Sequence, residues 1–188
     1  MRQEELWDKL YEDNGAVWRG NTVVPVPNSG KALDLGCGNG KTVSTLIDAG
    51  YDVTGVDFSE VAISQCRDRF PGSDFHVCDV TDLPFGDGSF DYVTAVHVLE
   101  NLDDAQLSMT VKEIARVLRP GGYVFVRCFT ENDMRSQKRR DSEIFYRFHT
   151  VSSITDAFQG FSVVSSELKE DRTRFGTLRS RAEVLLKL

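Results

Sequence analysis

From residue 31 onward, short apolar runs alternate with segments of helical period. The runs are KALDLG, DVTGVD, DFHVCD, FDYVTAV and GYVFVRCF. Such alternation is the signature of a parallel sheet covered on both faces. Between the runs, Val43, Leu46 and Ile47 form a stripe closed by Gly50. Ser59 can cap a helix striped by Ile63, Cys66 and Phe70, and Asp103 or Asp104 can cap one striped by Leu107, Val111, Ile114 and Leu118. The Pro120-Gly121-Gly122 turn stops that last helix and starts a strand.

The pattern changes after residue 128. Residues 129–149 show no clear period; Thr150 can then cap a short helix (Val151, Ile154, Phe158) that Gly160 ends, and an apolar run from Phe161 to Ser166 follows. From Leu178 to Lys187 the even positions are Leu, Ser, Ala, Val and Leu, while Arg179, Arg181, Glu183 and Lys187 lie opposite, which predicts a strand with one wet face. About ten polar residues join these last two strands, short enough for a hairpin, so the sheet should end in an antiparallel pair. Before the first strand lie an amphipathic stretch (Leu6, Trp7, Leu10, Tyr11), Trp18 and the linker VPVPNSG, which predict a small helical cap. The expected organisation is one domain over 1–188: a cap at 1–30, a core at 31–128, an insertion at 129–149, and a helix with a strand pair at 150–188.

Composition agrees with a single core. The chain has 188 residues, 40% of them apolar, and a net charge of −7 from 22 basic and 29 acidic side chains. No run approaches the roughly 18 apolar residues of a membrane span, and MRQEELWDKL lacks the apolar core of a leader, so a cytoplasmic protein without membrane attachment is expected. Cys37, Cys66, Cys78 and Cys128 are scattered, with no paired spacing and no nearby His, which fits a reducing compartment and no metal. Net acidity argues against a nucleic-acid partner, since such surfaces draw affinity from clustered Lys and Arg. The one basic run, RSQKRR at 135–140, reads as a solvated loop.

The strongest chemical signal is KALDLGCGNG, a strand running into Gly36, Gly38 and Gly40 and then into a helix. Glycine at alternate positions lets the backbone turn without a Cβ in the way and aims N–H groups at an anion over the helix N-terminus. Asp57 closes the second strand 21 residues beyond Gly36, the separation at which α/β nucleotide sites set a carboxylate on ribose hydroxyls. Loop and acid together imply an adenosine-containing ligand. A nicotinamide-dependent oxidoreductase would need glycine at position 41 for G-x-G-x-x-G, and Lys41 stands there.

The pattern present, D-x-G-x-G-x-G from Asp34, resembles the cofactor loop of class I S-adenosylmethionine-dependent methyltransferases of the small-molecule, type 11-like kind. DFHVCDVTDLPFGDGSFDYVTAVHVLENL and RVLRPGGYVFV resemble the later segments of that family, in the family's order, across about 31–128. The resemblance implies an α/β, Rossmann-like fold: a seven-stranded sheet, mostly parallel with an antiparallel C-terminal strand, helices on both faces, and an N-terminal helical cap. It also implies roles. Asp34 and the loop Gly36, Cys37, Gly38 and Gly40 would hold the methionine part of S-adenosyl-L-methionine. Asp57 would take the ribose hydroxyls, Phe58 would pack beside the adenine, Asp79 would accept from its amino group, and Val80 would add an amide or apolar contact. Ala95, Val96 and His97 would lie nearest the reacting methyl group. Each acid has a structural alternative: Asp34 as a loop-binding strand acid, Asp79 as a turn former. Three acids behind successive strand ends favour the ligand reading.

Methyl transfer by in-line displacement is chiefly a problem of alignment. If the acceptor needs a base, His97 is the candidate, since it follows the fourth strand and titrates near neutrality. His149 is expected to be structural, and Glu100 to sit on the outer turn of its segment. Tyr11, Trp18, Tyr146 and Arg147, from the cap and the insertion, are the residues expected to close the substrate pocket with His97. AVHVLENL stands where enzymes that methylate nucleic-acid amino groups carry Asn/Asp-Pro-Pro-Tyr, so a small-molecule acceptor is expected. The cap WDKLYEDNGAVWRG is faintly similar to those of thiopurine and tellurite methyltransferases. A non-catalytic cofactor-binding partner protein, using 129–149 to recognise another chain, stays open as the alternative.

Overall fold

The computed structural model describes residues 2–14 and 22–188, so Trp18 lies outside the described residues. Seven strands form one sheet: β1 (Lys31–Leu35), β2 (Asp52–Asp57), β3 (Asp74–Val77), β4 (Phe90–Val96), β5 (Leu118–Phe129), β6 (Ser162–Arg172) and β7 (Leu178–Lys187). Their order is β3-β2-β1-β4-β5-β7-β6. The first five are parallel, and β7 runs antiparallel between β5 and β6. Strand order reverses between β1 and β4, and the crevice beyond the carboxyl ends there is where open α/β sheets take ligands.

The helices start where capping chemistry allows. The Ser59 hydroxyl accepts from the Ala62 amide at the head of α3 (Glu60–Arg69), with α2 (Lys41–Asp48) before it and α1 (Gln3–Asn14) at the N-terminus. Asp103, rather than Asp104, caps α4 (Asp104–Val117) in a reciprocal pair with Gln106. Thr150 and Ser153 form the same arrangement at α6 (Val151–Ala157). Between them, α5 (Ser136–Arg140) takes up the basic run.

Two cores flank the sheet. Leu33, Leu35, Val93, Val124, Val126, Val184 and Leu186 face Leu107, Val111 and Ile114 of α4 and Ile154 of α6, and Ala32, Val53, Tyr92 and Phe125 pack on Val43, Leu46 and Ile63 of α2 and α3. A third, smaller cluster seats α1: Trp7 and Tyr11 lie on Ala62 and Ile144. Asp8 of α1 accepts from the Ser59 hydroxyl at 2.5 Å, tying the cap to the head of α3.

Several expectations change. The strand expected to end at Ser166 continues to Arg172, because β7 pairs with it over its whole length and only residues 173–177 turn. The outer strand is exposed along almost its whole length, and its Glu167, Lys169, Glu170 and Asp171 keep that edge from pairing further. Ile47 is exposed rather than part of the α2 stripe. The basic run is not a wet loop: Arg139 is buried, its guanidinium 4.3 Å from the Phe129 ring centroid and 4.4 Å from that of Tyr146. Glu100, placed by its sequence on an outer turn, is among the most buried side chains of the protein. No helix among the described residues is long and apolar enough to cross a membrane.

Candidate active site

The carboxyl end of β1 opens into a loop whose glycines Gly36, Gly38 and Gly40 have φ of 58°, 52° and 81°. Side chains rarely adopt that region. Space also forbids them: a methyl group on Gly36 would lie 2.5 Å from Val98 Cγ2, and one on Gly40 would lie 2.3 Å from the Phe70 ring. The loop is held by the end of β2. The Cys37 amide donates to the Val56 carbonyl at 2.9 Å, the Gly38 amide to Asp57 Oδ2 at 2.9 Å, and the Ser59 amide to Asp57 Oδ1 at 3.0 Å. Burial pushes the Asp57 carboxyl up to about 6, against the pull of those amides.

Asp34 lies one layer below. It is buried, and the Thr94 hydroxyl of β4, its partner in the ladder, donates to Oδ1 at 2.6 Å. Its other oxygen is buried with no partner among the described residues, and burial pushes the carboxyl up to about 7. A buried acceptor left open costs roughly 1–3 kcal/mol until something donates to it.

A cavity of about 950 Å³ lies over these strand ends, toward the upper end of the range of about 300–1,000 Å³ usual for small-molecule sites. Gly36, Cys37, Gly38, Asp57, Phe58, Asp79, Val80, Val96 and His97 line it. So does Tyr11, with Gln3, Glu4 and Trp7 of the same helix. Gln3 donates to the Glu143 carbonyl and accepts from the Phe145 amide, so cap and insertion are joined at the rim of the cavity. Asp79 is exposed on the wall two residues beyond β3 and also holds the turn, accepting from the amide and hydroxyl of Thr81 at 2.8 and 2.7 Å.

Five expected residues lie outside the cavity lining, Asp34 among them, buried one layer below it. Gly40 is behind the loop against Phe70, and Ala95 is fully buried in the core. Tyr146 packs edge-on to Trp7, and Arg147 reaches out to Asp104 at 2.6 Å. Phe129, Arg135 and Phe145 line the cavity from that region instead.

His97 has the only positive φ, 62°, among the described non-glycine residues. Such a conformation costs on the order of 1–3 kcal/mol and collects at functional sites. The His97 amide is anchored on the Arg127 carbonyl at 2.8 Å, and the ring stacks on Phe129 with centroids 3.7 Å apart and planes at 12°. His97 Nδ1 is 2.9 Å from Glu100 Oε1, which also accepts from the Phe129 amide at 3.2 Å. Burial holds the imidazole below its ordinary pKa despite the neighbouring carboxylate. Burial also works to raise Glu100, but the His97 ring and the Phe129 amide outweigh it and leave that carboxyl below its ordinary value. In the tautomer that donates Nδ1–H to the Glu100 carboxylate, the neutral imidazole keeps Nε2 as an acceptor. His149 is buried beneath the α6 cap, with Nε2 3.3 Å from the Leu99 carbonyl.

The wall toward β5, β7 and β6 is cationic: Arg127, Lys169, Arg179 and Arg181 line it with Lys41 and Arg135. Sequence reasoning missed this cluster, having read the odd positions of β7 as a wet face. The signal was the row Arg179, Arg181 itself, opposite a strand bearing Lys169.

The residues present suit a ligand carrying an adenosyl group and an amino acid: a glycine cradle, two buried acids in succession, and an open acceptor on Asp34. Comparison with known proteins defines the class. A family model described as "Methyltransferase domain" matches residues 33–126, half of the chain, and the chain belongs to this family of class I S-adenosylmethionine-dependent methyltransferases. The family's cofactor is S-adenosyl-L-methionine.

Particular relatives sharpen the placement. A ubiquinone/menaquinone biosynthesis C-methyltransferase of Desulfotalea psychrophila is 42% identical over 101 residues, covering 51% of this chain and 40% of that protein. A demethylmenaquinone methyltransferase of Renibacterium salmoninarum is 35% identical over 130 residues, covering 69% of this chain and 50% of that protein. The chain thus spans half or less of the length of these two relatives. Among solved structures, a SAM-dependent methyltransferase of Methanosarcina mazei superposes with a TM-score of 0.72 at 25% identity, over 84% of this chain and 91% of the other. A Haloferax volcanii methyltransferase in complex with the Trm112 methyltransferase activator has a TM-score of 0.74 at 23% identity, over 98% and 95%, and shows the same fold.

Proposed function

We propose that this protein transfers a methyl group from S-adenosyl-L-methionine to a small-molecule acceptor by in-line displacement, with His97 as general base and Glu100 as its positioning residue. The observation that carries the reading is His97 on the wall of the cavity that also holds the glycine loop and Asp57, with Glu100 buried behind it at 2.9 Å from Nδ1.

The cofactor supplies an electrophilic methyl group on a sulfonium. Asp34 offers its open oxygen to the ammonium of the methionine part, directly or through water, and the Gly36–Gly38 backbone leaves room for its close approach. Asp57, which fixes the loop, would serve the ribose hydroxyls; Phe58 and Val80 would pack against the adenine, and Asp79 would accept from its amino group. His97 Nε2 would take the proton from the acceptor as the acceptor's lone pair bonds to the methyl carbon and the carbon–sulfur bond breaks to leave a neutral thioether, and Glu100 would hold the imidazole in the Nδ1–H tautomer through that step. The α1 cap and Phe145 form part of the cavity wall, and alignment of the reacting atoms there carries most of the acceleration, worth up to about 7–11 kcal/mol in well-oriented systems.

The test is calorimetric titration with S-adenosylhomocysteine beside NAD and beside Asp57→Ala. Micromolar binding of the adenosyl ligand alone, lost in the variant, supports the reading, and a screen of thiols and hydroxyls for methylation then follows. Binding without turnover of any acceptor would favour a non-catalytic partner protein; preference for NAD would overturn the cofactor assignment.

A further inference from the structure

The cavity is polarised along the strand order. Asp57 and Asp79 stand at the β2 and β3 side, and Arg127, Lys169, Arg179 and Arg181 stand at the β5, β7 and β6 side. The ladder explains how residues so far apart in sequence meet. Arg127 pairs with Glu183, Phe129 with Arg181, Arg181 with Lys169, and Arg179 with Asp171, so these side chains share one sheet face. The His97 amide rests on the Arg127 carbonyl, which puts the basic wall directly beside the proposed base.

The charges on this wall do not balance. Among the described residues six cations line it, counting Lys41 and Arg135. Only three carboxylates pair with them: Glu183 with Arg127 at 2.8 Å and Lys169 at 3.9 Å, Asp171 with Arg179 at 3.7 Å and with Arg181, and Asp133 with Arg135 at 3.1 Å. Glu167 faces Glu183 across the ladder and adds a fourth carboxylate to this face, so the six cations still exceed the acids by two. Lys41 has no ion-pair partner among the described residues; burial, then the neighbouring Arg127, Arg135, Arg179 and Arg181, lowers its pKa. Arg181 Nε is buried without an acceptor among the described residues. A local positive excess in a protein of net charge −7 is work done against the stability of the empty site. It is repaid when an anion enters.

We propose that the methyl acceptor is anionic, and that its carboxylate or phosphate is held by Arg179, Arg181 and Lys41 while its nucleophilic atom lies at His97. This rests on the methyl-transfer reading above and adds the substrate class. The methionine carboxylate of the cofactor could neutralise one of these charges, and the excess is larger than one.

The experiment therefore saturates the protein with S-adenosylhomocysteine first, then titrates phenyl phosphate, phenylacetate and neutral benzyl alcohol by calorimetry, at low and high salt. Expected is binding of one or both anions at least tenfold tighter than of the alcohol, weakened by salt. Arg179→Gln and Lys41→Gln should each cut that affinity about tenfold, with S-adenosylhomocysteine affinity in Arg179→Gln within twofold of the parent. The stronger of the two anions identifies the head group. Anions binding no better than the alcohol, anion affinity unchanged in both variants, or anion binding abolished by the saturating nucleoside would each overturn the proposal. The last result would assign the cations to the cofactor. Failure of S-adenosylhomocysteine to bind at all would instead sink the methyl-transfer reading, and the anion titrations on the unliganded protein would still judge the basic wall.

Discussion

The imidazole of His97 lies flat on the ring of Phe129, 3.7 Å between centroids, while the Phe129 amide donates to the carboxylate that His97 also contacts. One residue of β5 thus sets both the plane of the ring and the charge that orients it. Arg139 closes the stack from the insertion, 4.3 Å from the Phe129 centroid.

This geometry fixes a pH dependence. A base must be neutral to accept a proton, and burial lowers the His97 pKa, so kcat/KM should be flat at and above neutrality and fall as pH drops through a value below about 6.5. His97→Asn should cost about 10²–10⁴ in kcat while leaving S-adenosylhomocysteine affinity within a few fold. Glu100→Gln should move the pH midpoint as well as the rate. A flat acid limb in the parent enzyme would remove His97 from the chemistry.

Asp34 predicts an opposite trend in stability. Its folded pKa of about 7 stands above the 3.8 of an ordinary aspartate, so between those values the folded state binds more protons than the unfolded one. Stability from this group therefore rises as pH falls from about 7 toward 4, and is lost as pH rises. Relative to Asp34→Asn, the parent without cofactor should gain on the order of 1–3 kcal/mol between pH 8 and pH 5, measured by urea denaturation. Asp57, pushed up to about 6, works in the same direction, so only the difference between the two proteins isolates Asp34. An identical pH slope in both would show that the Asp34 carboxyl is not desolvated.

Gly36→Ala places a methyl group 2.5 Å from Val98 Cγ2 at a backbone of φ +58°. Displacing the loop should weaken S-adenosylhomocysteine binding at least tenfold and lower stability by ~1–3 kcal/mol. Adding Val98→Ala relieves the collision but not the dihedral cost, so it should recover part of the affinity. Full recovery would mean that crowding alone requires the glycine.

Thr150→Ala removes the hydroxyl that accepts from the Ser153 amide at 3.1 Å. The expected loss is about 1 kcal/mol in denaturant unfolding, with cofactor affinity unchanged because α6 lies under β6 and β7 and supplies no residue to the cavity. A change in cofactor affinity would couple this helix to the site in a way the packing does not suggest.

The sequence by itself determined what is local. A strand running into alternate glycines, an acid 21 residues on, and hydroxyl or carboxylate caps ahead of apolar stripes express their geometry within a few residues, so β1, its loop, Asp57 and the heads of α3, α4 and α6 were legible. The antiparallel end of the sheet was legible too, because alternation and a short connection leave few other arrangements. Tertiary structure decided whatever depends on a partner distant in sequence. Glu100 sits in a turn that looks exposed, and only Phe129 and His97 packing against it make it a buried carboxylate. The second strand of the hairpin extended the first one well past its apolar run. Arg127, Lys169, Arg179 and Arg181 are solvated charges when read singly; they become one cationic wall because three strands brought together by ladder hydrogen bonds place them on one face. Electrostatic fields sum over space and not along the chain, so that wall could be read only from the fold.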